Sequence, residues 1–227
     1  MDQDSTIRTP SEAPKPPHER PLTVATRLRA DIVAGLLPQG ARLKTQELAA
    51  RYGTSINPIR EALHQLAGEG FVQIERNRGA RVRVLDETLV RNMFDVRALI
   101  EPYLIRLFVS HATERELSRL AELQDRIETI VGEDQERLRA LDAHFHDITY
   151  AGHHNTEALA IFQRQSRVVQ ALGIRFPASP ARRQAQNHEH RALIDAAARG
   201  LEDEAAEIVR QHCRGAERHL LEQLRRN

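Results

Sequence analysis

The stretch Thr45–Leu66, TQELAARYGTSINPIREALHQL, constrains the fold of this chain more than any other. Leu48, Ala49 and Tyr52 have helical spacing, and Gly53 behind them tolerates the left-handed geometry of a helix stop. Ser55 offers a hydroxyl to cap the exposed N–H groups of a second helix. Pro58 falls in the first turn of that helix, where the backbone donors have no intrahelical partner to lose. Ile59, Ala62, Leu63 and Leu66 set its apolar side, which turns Asn57, Arg60, Glu61 and His64 outward. Two short helices joined by a tight glycine-containing turn predict a helix-turn-helix, whose second helix fits a DNA major groove. An ordinary helical hairpin has the same turn, so the turn alone does not decide.

The next segment decides more. Val72 and Ile74 alternate with polar residues, as do Val82 and Val84, which predicts two short strands facing one core. Between them Glu75-Arg76-Asn77-Arg78-Gly79-Ala80-Arg81 carries three arginines and a glycine. A basic hairpin tip beside a helix-turn-helix is a wing, suited to phosphates or a minor groove. Taken alone, the loop is also explained as a solvated charged turn. The net charge of +1 is unevenly spread: residues 21–86 hold ten Lys/Arg against six Asp/Glu, net +4, and residues 87–227 hold 20 against 22, net −2. A basic part followed by a slightly acidic one suits one unit on nucleic acid and another with a different task.

At 227 residues, 41% hydrophobic and 29% charged, the chain reads as a soluble globular protein with room for two small cores. No apolar run suits a membrane span, and the N-terminus lacks the core of a signal peptide. The single cysteine, Cys213, excludes an intrachain disulfide and fits a reducing cytoplasm; it sits among helical apolar positions, as a packed thiol does. Residues 1–20, with four prolines, read as a disordered tail. A helix from Leu22 to near Gly35 precedes the helix-turn-helix, and Leu85–Leu89 forms a short, semi-rigid connector.

From Val90 onward helical periodicity dominates. Met93, Val96, Ile100, Leu104 and Leu107 set one stripe, kinked at Pro102. Leu117 to Ile130, stopped by Gly132, and Leu138 to Ile148, ending near Gly152, set the next two. A fourth helix spans roughly residues 159–174, with Pro177 and Pro180 closing it. Residues 187–199 and 202–224 form the last two. The predicted fold is mainly α: a winged helix-turn-helix with a small β-hairpin over residues 21–86, then an antiparallel bundle of six helices over residues 90–224, with an interior pocket.

Asp142 and His146 are four apart and share a helix face beside Leu138, Leu141 and Phe145. His190 belongs to the stripe of Leu193, Ile194 and Ala197, and His212 to that of Ile208, Val209 and Ala216. Each histidine alone reads as a hydrogen-bonded core residue. One carboxylate and three imidazoles on three inward faces together suit a divalent transition metal, zinc by default, with nickel or manganese as alternatives. His144, His153, His154 and His188 read as surface or loop residues. Arg97, four residues before Glu101, reads equally as an intrahelical ion pair or as a guanidinium aimed at an effector carboxylate.

Residues 22–84 resemble the DNA-binding domain of the GntR superfamily of bacterial transcription regulators. The resemblance is carried by Leu28, Ile32 and Gly35, by Pro38, Gly40 and Leu43, and by Glu47 and Ala49. It continues through Ser55, Pro58, Arg60-Glu61-Ala62-Leu63 and Leu66, then Glu69-Gly70 and Asn77-Arg78-Gly79-Ala80 with Val82. Where the family usually has Arg-Thr after the capping serine, this chain has Ile56-Asn57. Ile56 cannot make the bidentate guanine contact of an arginine, so the resemblance carries the docking mode and not the base preference.

Residues 90–224 resemble the FCD-type effector domain of the FadR subfamily. Metal-binding members of that group have Asp-x3-His, a His opening the penultimate helix and a His in the last; Asp142, His146, His190 and His212 fall on those positions. Asn155 matches an Asn nine residues after the first His, although the local Ser-Gly-Asn is here His153-His154-Asn155. The resemblance implies a cytoplasmic homodimeric regulator, and a repressor, on two-fold operator DNA contacted by Ser55, Asn57, Arg60, Arg78 and Gly79. It further implies a small carboxylate effector held by the metal, Arg97 and Asn155. A metal-dependent hydrolase fused to a nucleic-acid-binding head is the alternative; four protein ligands leave less room for water at a tetrahedral metal, and no general base stands nearby. Non-specific DNA packaging fits poorly with a near-neutral chain.

Overall fold

The computed structural model describes residues 22–76, 78–130 and 134–226. The expected tail, the wing-tip Asn77 and the helix stop at Gly132 lie outside the described residues. The head consists of α1 (Val24–Val33), β1 (Arg42–Leu43), α2 (Thr45–Tyr52), α3 (Ile56–Glu69), β2 (Val72–Glu75) and β3 (Gly79–Val82). Its antiparallel sheet has the order β1-β3-β2, with Val72 opposite Val82 and Leu43 opposite Ala80. β1 is a strand that the periodicity does not show, because two residues carry no alternation.

Gly53 ends α2 in the left-handed region at φ 64°, and α3 buries Ile59, Ala62, Leu63 and Leu66 as its spacing predicts. Ser55 occupies the N-cap of α3, yet its side chain makes no capping hydrogen bond. One of its two usual donors is missing three residues on. A capping hydroxyl bonds the N–H of the second or third helical residue, and the third here is Pro58, which has none.

α1 braces the pair. Arg29 donates two hydrogen bonds of 2.8 Å to the Glu69 carboxylate at the end of α3. Asp31 accepts from Tyr52 Oη at 2.6 Å and from Arg51 at 2.7 Å at the end of α2. The alternation of Ile74 and Val84 misleads: both are about half exposed, while Val72 and Val82 are buried. Ile74 lies toward the hairpin tip and Val84 beyond the end of β3, so only the inner pair reaches the head core.

The bundle consists of α4 (Glu87–His111), α5 (Glu114–Thr129), α6 (Gln135–Tyr150), α7 (Thr156–Arg175), α8 (Pro180–Ala198) and α9 (Glu202–Arg226). α4 lies along α9, and α8 packs against both α9 and α5. Two boundaries and one buried face differ from expectation. Asp86 caps α4 by accepting from Leu89 N at 2.8 Å, so the helix starts before Val90. Pro180 opens α8 behind the capping Ser179 instead of closing α7, since proline's fixed φ suits a first helical turn as well as a stop. α4 turns Phe94, Arg97, Glu101 and Ile105 fully inward and leaves Val96, Ile100 and Leu107 half-buried, so the buried charged pair sits one position beyond the apolar stripe at Val96 and Ile100. Pro102 lies inside α4.

The head rests on α7. Ala171 is buried in the head's hydrophobic cluster, and α7 touches α1 and α3. Gly70, which ends α3 at φ 89°, faces Val168: a Cβ there would lie 3.2 Å from Val168 Cγ2. Gly70→Ala is therefore expected to destabilise the protein by at least about 1–2 kcal/mol, the ordinary cost of left-handed backbone for an L-residue. Urea denaturation checks this; a midpoint unchanged from wild type would show that α3 and α7 part freely.

Candidate metal centre, ligand cavity and DNA-facing surface

Three helices bring the predicted histidines together. His146 on α6, His190 on α8 and His212 on α9 each offer a ligand atom, and these atoms lie within 4.8 Å of one another. Asp142, one turn before His146, places Oδ1 3.9 Å from His146 Nε2 and 3.7 Å from His190 Nε2. Gln186 Nε2 hydrogen-bonds the same carboxylate oxygen.

His190 is 1% exposed and stacks on Phe145 at 4.2 Å. Its Nδ1 lies 2.8 Å from Gln124 Oε1. His212 Nδ1 lies 2.8 Å from Glu189 Oε2, and that carboxylate is also held by Arg182. Burial first, then the neighbouring imidazoles and Arg182, hold His190 and His212 well below the usual histidine range. That direction favours the neutral imidazole, the form that binds metal.

The donor set passes a stricter test of fit. Among the described residues, His190 Nε2 and His146 Nδ1 are buried without a hydrogen-bond partner. A buried orphan nitrogen costs free energy unless something fills it. Two orphans in one imidazole cluster beside a carboxylate fit a divalent transition metal.

The cluster opens on a cavity of about 180 Å³ lined by Asp142, His146, His212, Arg97, Arg139 and Arg182, among others. Arg97 is buried, with Nε 2.7 Å from Glu101 Oε1, Nη1 donating to Ser166 Oγ at 3.3 Å, and its guanidinium 5.5 Å from the Phe94 and Phe162 ring centres. Tyr150 Oη donates to Glu101 Oε2 at 3.1 Å. The ion pair and the cavity position are thus both present. Cys213 is buried beside this pair, and burial pushes its thiol up, away from the reactive thiolate.

Asn155 is placed elsewhere. It caps α7, accepting from Ala158 N at 3.0 Å, and is not among the cavity-lining residues. His153 lies in the loop before α7, as expected, but is buried there: its Nδ1 accepts from Asn155 N at 3.0 Å and its ring lies against Tyr103. Gln124, Glu189, Arg139 and Arg182 escape the sequence reading. Gln124 had left a signal, as a polar residue between Leu120, Leu123 and Ile127.

On the head, Ser55, Asn57, Arg60, Arg78 and Gly79 are all exposed. A groove between α3 and the hairpin is lined by Arg42, Lys44, Arg60, His64, Ile74 and Gly79, among others. Ile56 packs partly onto the head core.

A winged-helix head seated on a helical bundle with a histidine-lined cavity defines a two-part class of protein. The chain belongs to the gntR family of bacterial regulatory proteins, whose model matches residues 21–82, and it carries an FCD domain over residues 92–215. It is 31% identical over 178 residues to the Nta operon transcriptional regulator of Aminobacter aminovorans, covering 76% of this chain and 81% of that one. With the gluconate operon transcriptional repressor of Bacillus subtilis (strain 168) it shares 35% identity over 127 residues, covering 55% of this chain and 51% of the repressor, about half its length. The crystal structure of a putative transcriptional regulator GntR from Rhodococcus sp. RHA1 superposes with a TM-score of 0.66 at 22% identity, covering 88% of this chain and 96% of that one, a likeness of fold. Among the described residues no helix is long and apolar enough to cross a membrane.

Proposed function

We propose that this protein is a cytoplasmic, ligand-responsive transcription regulator, a repressor, that binds operator DNA as a homodimer through residues 21–86. Its bundle, residues 90–224, holds a divalent metal, zinc by default, and a small organic acid. The observation that carries the reading is the pairing of two surfaces in one chain: an exposed basic α3-and-wing face and an internal imidazole–carboxylate cluster with orphan nitrogens.

Asp142, His146, His190 and His212 would hold the metal, which supplies a Lewis-acid partner for carboxylate oxygens. Arg139 is one turn from Asp142 and faces the same cavity, and Arg97 presents what its pair with Glu101 leaves free. These cations suit a carboxylate effector. One relative is named for a gluconate operon, and gluconate has that chemistry. Such a ligand acts only through unequal affinity for two placements of the heads. Leu99, 76% exposed, and Tyr103, one turn on along α4, offer apolar surface for a second copy, and two heads read a longer site than one.

The test is DNA selection from a random pool, followed by titration of the selected site. Arg60→Ala should weaken binding by about 1–3 kcal/mol, the value of a charge-assisted base or phosphate contact, with helicity unchanged. Equal affinity at physiological salt would remove α3 from the DNA interface. Recovery of no preferred sequence by the wild type would overturn the regulator reading.

A further inference from the structure

Behind the metal cluster stands a residue that touches no cavity and no surface. Gln124 on α5 is 0% exposed, and its amide makes three contacts. Nε2 donates to Glu128 Oε1 at 2.8 Å and to Asn187 Oδ1 at 3.2 Å, while Oε1 lies 2.8 Å from His190 Nδ1.

These contacts admit one orientation. Glu128 is a carboxylate that Arg191 engages with two hydrogen bonds of 2.8 Å, and those bonds hold it below the usual range. An ionised carboxylate only accepts, so the amide nitrogen of Gln124 must face it and the amide oxygen must face the imidazole. That oxygen also only accepts, so His190 must carry its proton on Nδ1. The lone pair then falls on Nε2, the buried atom with no hydrogen-bond partner among the described residues, 3.7 Å from Asp142 Oδ1. Phe145, stacked at 4.2 Å and 6° from parallel, holds the ring in that plane.

We infer that Gln124 is a positioning residue for the metal centre: anchored by Glu128, it sets the tautomer of His190 and so aims Nε2 at the cluster. The inference rests on the proposed metal site and deepens it. It also distinguishes two histidines, since His212 is backed by a carboxylate, Glu189, and His190 by a neutral amide. Carboxylate backing makes an imidazole a more basic ligand, so the amide leaves His190 the weaker donor and the one most dependent on orientation.

The test uses the full-length protein with zinc alone. Zinc affinity is measured by competition with a chromophoric chelator, and the His190 tautomer of the metal-free protein by long-range ¹H–¹⁵N correlation. Gln124→Met keeps the volume and removes the acceptor. It should weaken zinc binding roughly 10–100-fold, the usual effect of losing such a partner, and replace a single Nδ1–H form with a mixture. A residue that only packs would lower the melting temperature of metal-free and zinc-loaded protein alike; a positioning residue shrinks the rise that zinc produces.

If Gln124→Met fails to fold, Glu128→Ala, at an exposed position, loosens the anchor and should weaken zinc binding by a smaller factor. Wild-type zinc affinity in folded Gln124→Met, or in Glu128→Ala where that is the variant read, would overturn the inference. So would an Nε2–H tautomer in the metal-free wild type. Failure of the metal site itself is seen separately, as a wild type that takes up no zinc before any variant is compared.

Discussion

Stripping metal from the purified protein is expected to lower its melting temperature by about 5–10 °C. A ligand that binds only the folded state at a hundredfold excess over its Kd stabilises by about 2.7 kcal/mol, and a chain of this size shifts by about 2–4 °C per kcal/mol. The expectation rests on the orphan nitrogens of His146 and His190, which gain a partner only when the cluster is filled. His190→Ala should abolish the difference between metal-loaded and chelated protein and the response of operator binding to an effector, while operator binding itself persists. Calorimetry with and without chelator, with elemental analysis of the same sample, checks the first part. Protein purified without chelator that contains no metal and gains nothing from added zinc, nickel or manganese would remove the metal from the account.

The second large effect concerns the buried pair on α4. Glu101→Ala is expected to destabilise the fold by about 3–5 kcal/mol, because it leaves the Arg97 guanidinium buried without its counter-charge. Glu101 is 0% exposed and Arg97 7%, so little water stands ready to replace the carboxylate. The double change Arg97→Met with Glu101→Leu should lie much closer to wild type, since matched apolar side chains often substitute for a buried ion pair at little cost. Equilibrium denaturation of the three proteins checks the pattern. A loss below about 1 kcal/mol for Glu101→Ala would mean that solvent reaches Arg97 from the cavity side. That result would strengthen the case for Arg97 as an effector contact over its role as a strut.

These residues also mark where reading the sequence stops. The helix-turn-helix is legible because Gly53 and the spacing of Ile59, Ala62, Leu63 and Leu66 are local signals. The histidine cluster is legible because helical period alone turns His146, His190 and His212 inward, and the structure brings them together. What escapes is whatever depends on a partner distant in sequence. Gln124 reads as a surface residue by type and is buried because its amide finds Asn187 and His190 on α8, whereas the Arg97–Glu101 pair is legible from its spacing and only its depth is not. Ser55 escapes differently: it holds the cap position, but Pro58 removes one of the two donors a capping hydroxyl uses and no cap bond forms. Asn155 shows the limit of matched positions, for its oxygen is spent on the first turn of α7.

α7 serves two neighbours at once. Phe162, Ser166, Val169 and Gly173 line the bundle cavity, while Val168 and Ala171 on the same helix press into the head. Head and bundle are therefore not interchangeable cassettes. A chimera that grafts this bundle under a foreign head inherits a helix whose outer residues are fitted to Gly70 and the head core, so the seam no longer matches even if both halves fold. A substitution on one flank of α7 is therefore felt on the other, because the residues that line the cavity and those that meet the head share one rigid helix.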